Sequence, residues 1–159
     1  MPWKRVSPQR ILKFYKDGLM ELNSKEQANP DMAVKSLMMR SEILKHDFTK
    51  RQMSILLFIY TFSYAFAKEE ANIPKLSDFS LVGIAPSKIK PELQKLENMG
   101  VIIWDRESNV FKLNDFRDWH DAPYVSTYND TRAKELYLLN LEEAGVDVKS
   151  MMDQLYSEI

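Results

Sequence analysis

One predicted helix, beginning near Pro86 and ending at Gly100, carries five side chains of types that bind DNA. They are Ser87, Lys88, Lys90, Gln94 and Lys95. In the major groove, lysine reaches a phosphate or the O6 and N7 atoms of guanine, and glutamine pairs with N6 and N7 of adenine. The solvated face of an unrelated helix is the alternative interpretation. The residue types predict an interface for duplex DNA, in which Lys88, Lys90 and Gln94 read base edges.

A second polar group follows that helix in a predicted β-hairpin. Arg106 and Asn109 fall in the turn, and Lys112 falls on the second strand. Such side chains can contact the DNA backbone or enter the minor groove. Asp105 and Glu107 lie in the same turn and oppose that role, so a purely structural hairpin is the alternative.

The elements that position these groups follow a defined order. Ser77 is predicted to cap a short helix over residues 78–82, and Gly83 suits the left-handed position that ends it. The buried stripe of the next helix is predicted to be Ile89, Leu93 and Leu96. Two β-prone runs, 101–104 and 110–113, then form the hairpin. A helix-turn-helix followed by a hairpin is the order of a winged helix.

Residues 49–67 form the most apolar stretch and are predicted to be one buried helix around which the chain folds. Thr49 with Gln52 three residues later is a capping box. A membrane span needs about 20 apolar residues, and this stretch is shorter and contains polar side chains. Its aromatic side chains recur at every second position, so they are predicted to pack in the core and not to stack on bases. A polar turn over residues 68–72 is predicted to follow.

The N-terminal region is predicted to form two helices, over residues 8–23 and 31–44, the second capped by Asp31. The apolar face of the first is predicted to comprise Ile11, Tyr15, Leu19 and Leu22. The second is predicted to run through Met32, Val34, Leu37 and Met38. Residues 1–7 are expected to be frayed and residues 23–30 to be a polar loop. Both helices are expected to cover one side of the central helix.

The charges divide the chain into two parts. Residues 1–114 carry 18 Lys and Arg against 13 Asp and Glu, whereas residues 115–159 carry 4 against 10. A net charge of +5 followed by one of −6 favours a polyanionic partner for the first part. The absence of cysteine excludes disulfides and thiolate zinc sites and fits a reducing cytosol. Because residues 1–10 are polar and no apolar run follows them, no signal peptide is expected. A cytoplasmic location without membrane association is expected.

The acidic C-terminal part is predicted to begin with an extended connector over residues 123–130. A helix over residues 131–144 would stop at Gly145, and Asp147 would cap a last helix. These amphipathic helices could pack on the preceding domain, pair with a second copy in a homodimer, or bind another protein.

Nothing in the sequence indicates an enzyme. The cluster of Asp118, His120 and Asp121 is interpreted as polar side chains of a surface loop and not as a metal site. No nucleophile–base pair, P-loop or dinucleotide fingerprint is recognisable, so no catalytic residue, cofactor or metal is predicted.

Two segments carry a family resemblance. The sequences KHDFTKRQMSILLFIYTFSYAFAKEE and NIPKLSDFSLVGIAPSKIKPELQKLENMGVI resemble the N-terminal winged-helix domain of bacteriophage replication protein O and related replisome organisers. The shared features are an acidic residue and Thr before "RQ", a long apolar helix, "LSDF…GI", a Ser/Lys-rich helix and "LE..GVI". The resemblance covers residues 45–114, and FKLNDFRDW after the hairpin is also similar.

The resemblance implies specific binding to a replication origin and recruitment of a helicase or helicase loader through further C-terminal regions. Because 159 residues are few for a full organiser, the chain is expected to hold mainly the DNA-binding part. Pro91 departs from the family pattern. It removes the helical N–H bond to the Ser87 carbonyl and is expected to kink the helix or delay its start.

The fold is therefore predicted to be mainly α, a winged helix-turn-helix with a small β-hairpin wing and extra N- and C-terminal helices. Residues 1–44 are assigned to an N-terminal helical extension, 45–114 to the DNA-binding domain and 115–159 to an acidic connector with C-terminal helices. The predicted function is origin recognition in the replication of a phage or mobile element and assembly of the helicase machinery. A winged-helix transcription regulator and a winged-helix protein-interaction module are the alternatives.

Overall fold

The computed structural model describes residues 2–27 and 30–158 in two compact units, the first running to Tyr124 and the second starting at Val125. The α-helices are α1 (Pro8–Gln27), α2 (Pro30–Lys45), α3 (Lys50–Thr61), α4 (Pro86–Asn98), α5 (Asp130–Glu143) and α6 (Val148–Ser157). Short 3-10 helices cover Pro2–Arg5, Tyr64–Phe66, Leu76–Val82 and Phe116–Asp118. The strands β1 (Glu70–Asn72), β2 (Ile102–Asp105) and β3 (Val110–Leu113) form an antiparallel sheet in the order β1-β3-β2.

Helix α3 is the centre of the first unit, as its apolar sequence predicts. The capping box is confirmed, because the Gln52 N–H donates to Thr49 Oγ1 at 3.1 Å and the Thr49 N–H donates to Gln52 Oε1 at 2.9 Å. The side chains of Ile55, Leu56 and Ile59 are completely buried. Helices α2 and α4, the 3-10 helix Leu76–Val82 and strand β3 all pack against α3. This burial on several sides fixes the fold.

The predicted helix over residues 49–67 is too long, since α3 ends at Thr61. The Ser63 N–H donates to the Tyr60 carbonyl three residues back, and its hydroxyl donates to the Ile59 carbonyl at 2.7 Å. The chain thereby tightens into the 3-10 helix Tyr64–Phe66, and Ala67 ends it in a left-handed conformation. Local side-chain bonding by serine competes here with continuation of the helix.

A row of aromatic rings connects α3 to the hairpin. Phe58 on α3 contacts Phe79 of the 3-10 helix Leu76–Val82 with 5.3 Å between ring centroids. Phe79 contacts Phe111 on β3 at 5.3 Å, and Phe111 stacks on Trp104 of β2 at 5.7 Å. Phe62 and Phe66, by contrast, remain exposed and stack on each other at 6.0 Å. The prediction that the aromatic side chains pack in the core thus holds for only part of the set.

The winged helix-turn-helix arrangement is confirmed. The 3-10 helix Leu76–Val82 ends at Gly83, which has φ +81°, and α4 and the hairpin follow. The first helix of the pair is a 3-10 helix, and its cap lies at Lys75, not at the predicted Ser77. The predicted turn over residues 68–72 is wrong, because Glu70–Asn72 pairs with β3 as β1.

The N-terminal helices depart more from the prediction. Helix α1 continues through Gln27, so the predicted loop over residues 23–30 is helical at its start, while residues 28 and 29 lie outside the described part. The predicted frayed segment 1–7 contains the 3-10 helix Pro2–Arg5, and Met1 lies outside the description.

Only α2 covers α3 in the way predicted for both N-terminal helices. Helix α1 packs against α2, and most of its large apolar side chains remain exposed. The buried row of α2 comprises Met32, Ser36, Met39, Glu42 and Ile43, whereas Val34, Leu37 and Met38 are exposed. Ser36 is tolerated there because its hydroxyl shares a 2.7 Å hydrogen bond with the Tyr60 hydroxyl of α3.

The second unit contains α5 and α6, which contact each other. Asn129 caps α5 through a hydrogen bond from the Arg132 N–H, and Asp147 caps α6 through one from the Ser150 N–H. None of the described residues of α5 or α6 is fully buried within the chain. Of the helices in the described part, none is both long enough and apolar enough to cross a membrane.

We expect Leu56→Ala to lower the free energy of unfolding by about 2–5 kcal/mol, because it leaves a cavity in a fully packed helix. The matched control is Leu81→Ala, whose side chain is 77% exposed and should change stability by no more than about 0.5 kcal/mol. Urea unfolding of both variants measures the difference. Equal stabilities would contradict the central position of α3.

Candidate nucleic-acid interface

Helix α4 is docked as its sequence predicts. Pro86 occupies the first turn, where a missing N–H is tolerated, and the Lys88 N–H donates to the Ala85 carbonyl at 2.8 Å. The predicted stripe of Ile89, Leu93 and Leu96 is buried against the rest of the domain. With this face fixed, the opposite face of α4 must be directed to solvent.

The five predicted DNA-binding residues of α4 are all exposed, but they do not share one line. At about 100° per residue, the centre of the exposed face is formed by Ser87, Pro91, Gln94 and Asn98. Lys88 and Lys95 lie on one side of that line and Lys90 on the other. Since Lys88 and Lys90 point about 160° apart, they cannot both reach into the middle of one groove. In the described part of the chain, none of these three lysines forms an ion pair.

Asn98 is a candidate that sequence reasoning missed. It is exposed at the last position of α4, four residues after Gln94 and on the same line. Asparagine, like glutamine, can bind adenine in the major groove with two hydrogen bonds. The i, i+4 spacing from Gln94 was the available signal.

Pro91 does not delay the start of α4, which begins at Pro86 and continues through Pro91 to Asn98. The proline nitrogen has no hydrogen, so the Ser87 carbonyl loses its helical partner four residues on. Pro91 lies in the middle of the exposed face, where its ring is in contact with solvent.

Arg106 in the hairpin turn is held by two contacts. Its guanidinium donates two hydrogen bonds to the Glu97 carboxylate of α4, at 2.7 and 2.8 Å. It also lies 4.2 Å from the centre of the Trp104 ring, a cation–π distance. The hydrogen bonds that Arg106 donates to the Glu97 carboxylate raise the pKa of Arg106 above its usual value. The structure therefore places Arg106 beside α4, where its positive charge is paired with the Glu97 carboxylate.

Asn109 supports the hairpin from within. Its amide nitrogen donates to the Pro74 carbonyl at 2.9 Å, and its amide oxygen accepts from Trp104 Nε1 at 3.2 Å. Its backbone is left-handed, with φ +52°, a conformation in which asparagine is favoured over most residues. These contacts support the structural alternative for this residue.

Lys112 lies away from the exposed face of α4 and next to Glu69. Its ammonium is 3.5 Å from Glu69, and the same carboxylate accepts a hydrogen bond from Lys35 of α2 at 3.0 Å. The hydrogen bond from Lys35 lowers the pKa of Glu69. All three residues line a cavity of about 450 Å³ that also borders Met39 and Tyr64. Lys112 is thus grouped with α2 and not with the exposed face of α4.

Arg51 is a second residue that sequence reasoning missed. It lies in the first turn of α3, and its Nη1 is 3.2 Å from Glu92 Oε1 of α4. This contact brings an arginine from the capped end of α3 to the border of α4. Only the three-dimensional packing of α3 against α4 relates the two residues, which are 41 positions apart.

The cluster of Asp118, His120 and Asp121 follows the hairpin. His120 Nδ1 lies 3.6 Å from the Asp121 carboxylate, and both side chains are exposed. The His120 backbone N–H donates to the Met99 carbonyl beside Gly100. A Cβ at Gly100 would lie 2.7 Å from the Asp118 carbonyl, so the close return of this segment requires glycine. In the described ranges, no three side chains of ligand type converge on one point.

We expect Asn109→Ala to lower the free energy of unfolding by about 3–4 kcal/mol. It loses two hydrogen bonds of about 1 kcal/mol each and places alanine in a left-handed conformation that costs about 1–2 kcal/mol. Asn109→Gly removes only the hydrogen bonds and should lose about 2 kcal/mol. Chemical unfolding distinguishes the two. A loss of DNA affinity at unchanged stability would instead support the original prediction of a DNA contact.

Comparison with known proteins gives one finding. A family model described as bacteriophage replication protein O matches residues 35–119, and no curated protein or solved structure matches the chain significantly. The matched region begins in α2 and ends at Trp119, so it includes α3, α4 and the whole sheet. It spans more than half of the sequence. The chain therefore belongs to the bacteriophage replication protein O family, which indicates a role in the initiation of phage replication.

Proposed function

We propose that the protein binds duplex DNA sequence-specifically at a phage replication origin, with α4 in the major groove. The exposed face of α4 carries this proposal: the amide side chains of Gln94 and Asn98 lie on its central line, and lysines lie on both sides. A groove about 12 Å wide accepts a helix of about that diameter. Membership in a phage replication family supports DNA as the partner.

The positions of these side chains around α4 suggest that some of them read bases and others bind phosphates. Gln94 and Asn98 on the central line are suited to base edges, with adenine as the preferred partner. Lys88 and Lys95 on one side and Lys90 on the other are suited to the phosphates of the two strands. This arrangement differs from the sequence-based assignment of Lys88 and Lys90 to bases.

The second unit supplies a candidate surface for the replication machinery. Its large exposed apolar side chains are Leu136, Tyr137, Leu139, Met151, Leu155 and Tyr156. Residues 125–159 also carry 3 Lys and Arg against 7 Asp and Glu, a net charge of −4. We propose that this surface binds a helicase or helicase loader after the first unit has bound DNA, and that the protein acts by binding and not by catalysis.

Footprinting on the DNA that carries the protein's own gene tests the proposal. Protection of repeated sites within a replication origin supports it. Protection of a promoter supports a transcription regulator instead, and a protein that protects no DNA would be a protein-interaction module.

We expect Gln94→Ala to reduce discrimination between the footprinted duplex and a random duplex by about 1–3 kcal/mol. Lys90→Ala should weaken binding to both duplexes alike and flatten the slope of log K against log salt by about 1, because it removes one phosphate contact. For the parent, about 3–6 contacts predict a slope of about −3 to −5.

Titrations of labelled duplexes at several salt concentrations measure both quantities. Lys13→Ala on α1 is the charge-matched control and should change neither. Binding that did not depend on salt would rule out a DNA-binding function.

A further inference from the structure

Two glutamates border the exposed face of α4, and each holds an arginine from a different element. Glu92 and Glu97 lie about 110° to either side of the centre of that face. Glu92 binds Arg51 from the first turn of α3, and Glu97 binds Arg106 from the hairpin turn. Arg51 therefore lies on the Lys88 and Lys95 side of the helix, whereas Arg106 lies on the Lys90 side.

The contact of Arg51 leaves much of its guanidinium accessible. Its side chain is 47% exposed, and Glu92 accepts one hydrogen bond from it at 3.2 Å. A guanidinium has five N–H donors in a planar fork, which matches two oxygens of a phosphate. The hydrogen bond to Glu92 thus holds Arg51 in position, and the remaining N–H donors of its guanidinium can still bind an anion.

From this geometry we propose that Arg51 is a phosphate-binding residue of the DNA interface and the counterpart of Arg106 across α4. The inference rests on the proposed function. A helix seated in the major groove has one phosphate backbone along each of its borders, because helix and groove are of similar width. Arg51 and Arg106 stand at those two borders, so each faces a different strand. Together they clamp the DNA on both sides of the base-reading line.

The two carboxylates give the clamp a second property. In the free protein Glu92 holds Arg51 at one border of α4, and Glu97 holds Arg106 at the other. DNA phosphates reach these guanidinium groups only where α4 is seated deeply in the groove. Loosely bound DNA gains little from these two arginines.

The test compares Arg51→Ala with the parent, using the full chain with the footprinted duplex and a random duplex of equal length. One phosphate contact contributes about 0.9 to the salt slope. Its loss should lower the affinity for the footprinted duplex about 5–10-fold at 0.1 M salt and flatten the slope by about 0.9. The random duplex should lose less, because its phosphates are engaged less closely. Arg51→Lys, which retains the charge but not the fork, should keep the slope and lose about 2–4-fold in affinity.

Arg40→Ala is the control. Arg40 is an exposed arginine of α2, and its guanidinium lies over the ring of Tyr60 on α3. Tyr60 comes nine positions after Arg51 in α3, which is about 13 Å along the helix axis. Arg40→Ala removes the same charge and should leave the DNA affinity and the salt slope unchanged. The melting temperatures of all variants should agree within about 2 °C.

The outcomes separate this inference from the proposed function. If the parent bound DNA and Arg51→Ala matched it in affinity and slope, the phosphate assignment of Arg51 would be wrong while DNA binding stood. An equal effect of Arg40→Ala would overturn it too, since the cause would be net charge. If the parent bound neither duplex, the proposed function and this inference would both fail.

Discussion

The burial of α3 between α2, α4, the 3-10 helix Leu76–Val82 and β3 is the constraint on which the remaining structure depends. An apolar helix exposed to water on any of these sides would lose the burial free energy that stabilises the fold, of the order of 1.5–3 kcal/mol per large side chain. The rings of Phe58, Phe79, Phe111 and Trp104 extend this packing into the hairpin. The last ring carries the guanidinium of Arg106 on its face. The position of a surface charge in the wing is thus set by contacts that begin in the core.

The surface of α4 combines opposite charges in a defined order. Lysines lie near the central line, glutamates lie further out, and arginines from other elements lie against the glutamates. The first unit, residues 1–124, carries 19 Lys and Arg against 16 Asp and Glu, a net charge of only +3. It can still offer a positive surface at α4, because the glutamates beside that helix are paired with arginines. Under the proposed function, the attraction of DNA over a distance would be modest, as the Debye length is about 8 Å at physiological ionic strength. Close complementarity then matters more than net charge.

The sequence was most informative where one local rule operated alone. The Thr49–Gln52 capping box, the stripe of α4 and the left-handed Gly83 each follow from short-range chemistry. Strand β1 was not predictable in this way, because its only buried side chain is Ala71 and its hydrogen bonds depend on the open edge of a strand about forty residues later. The buried row of α2 was hidden by Ser36, whose burial is satisfied only by Tyr60 of another helix. The Arg51–Glu92 pair is likewise a product of tertiary packing.

The place of β3 in the middle of the sheet has a consequence for the motions of the wing. Its backbone is paired with β1 along one edge and with β2 along the other. A slip by one residue would expose Phe111 and Leu113, so the strand cannot shift its register without opening the core. The amide hydrogens of β3 should therefore exchange with solvent nearly as slowly as those of α3. Within the hairpin, only the amide hydrogens of the turn between β2 and β3 should exchange quickly. We therefore expect the hairpin to move together with the core, so that in the proposed DNA complex its turn would meet DNA at an angle already set in the free protein.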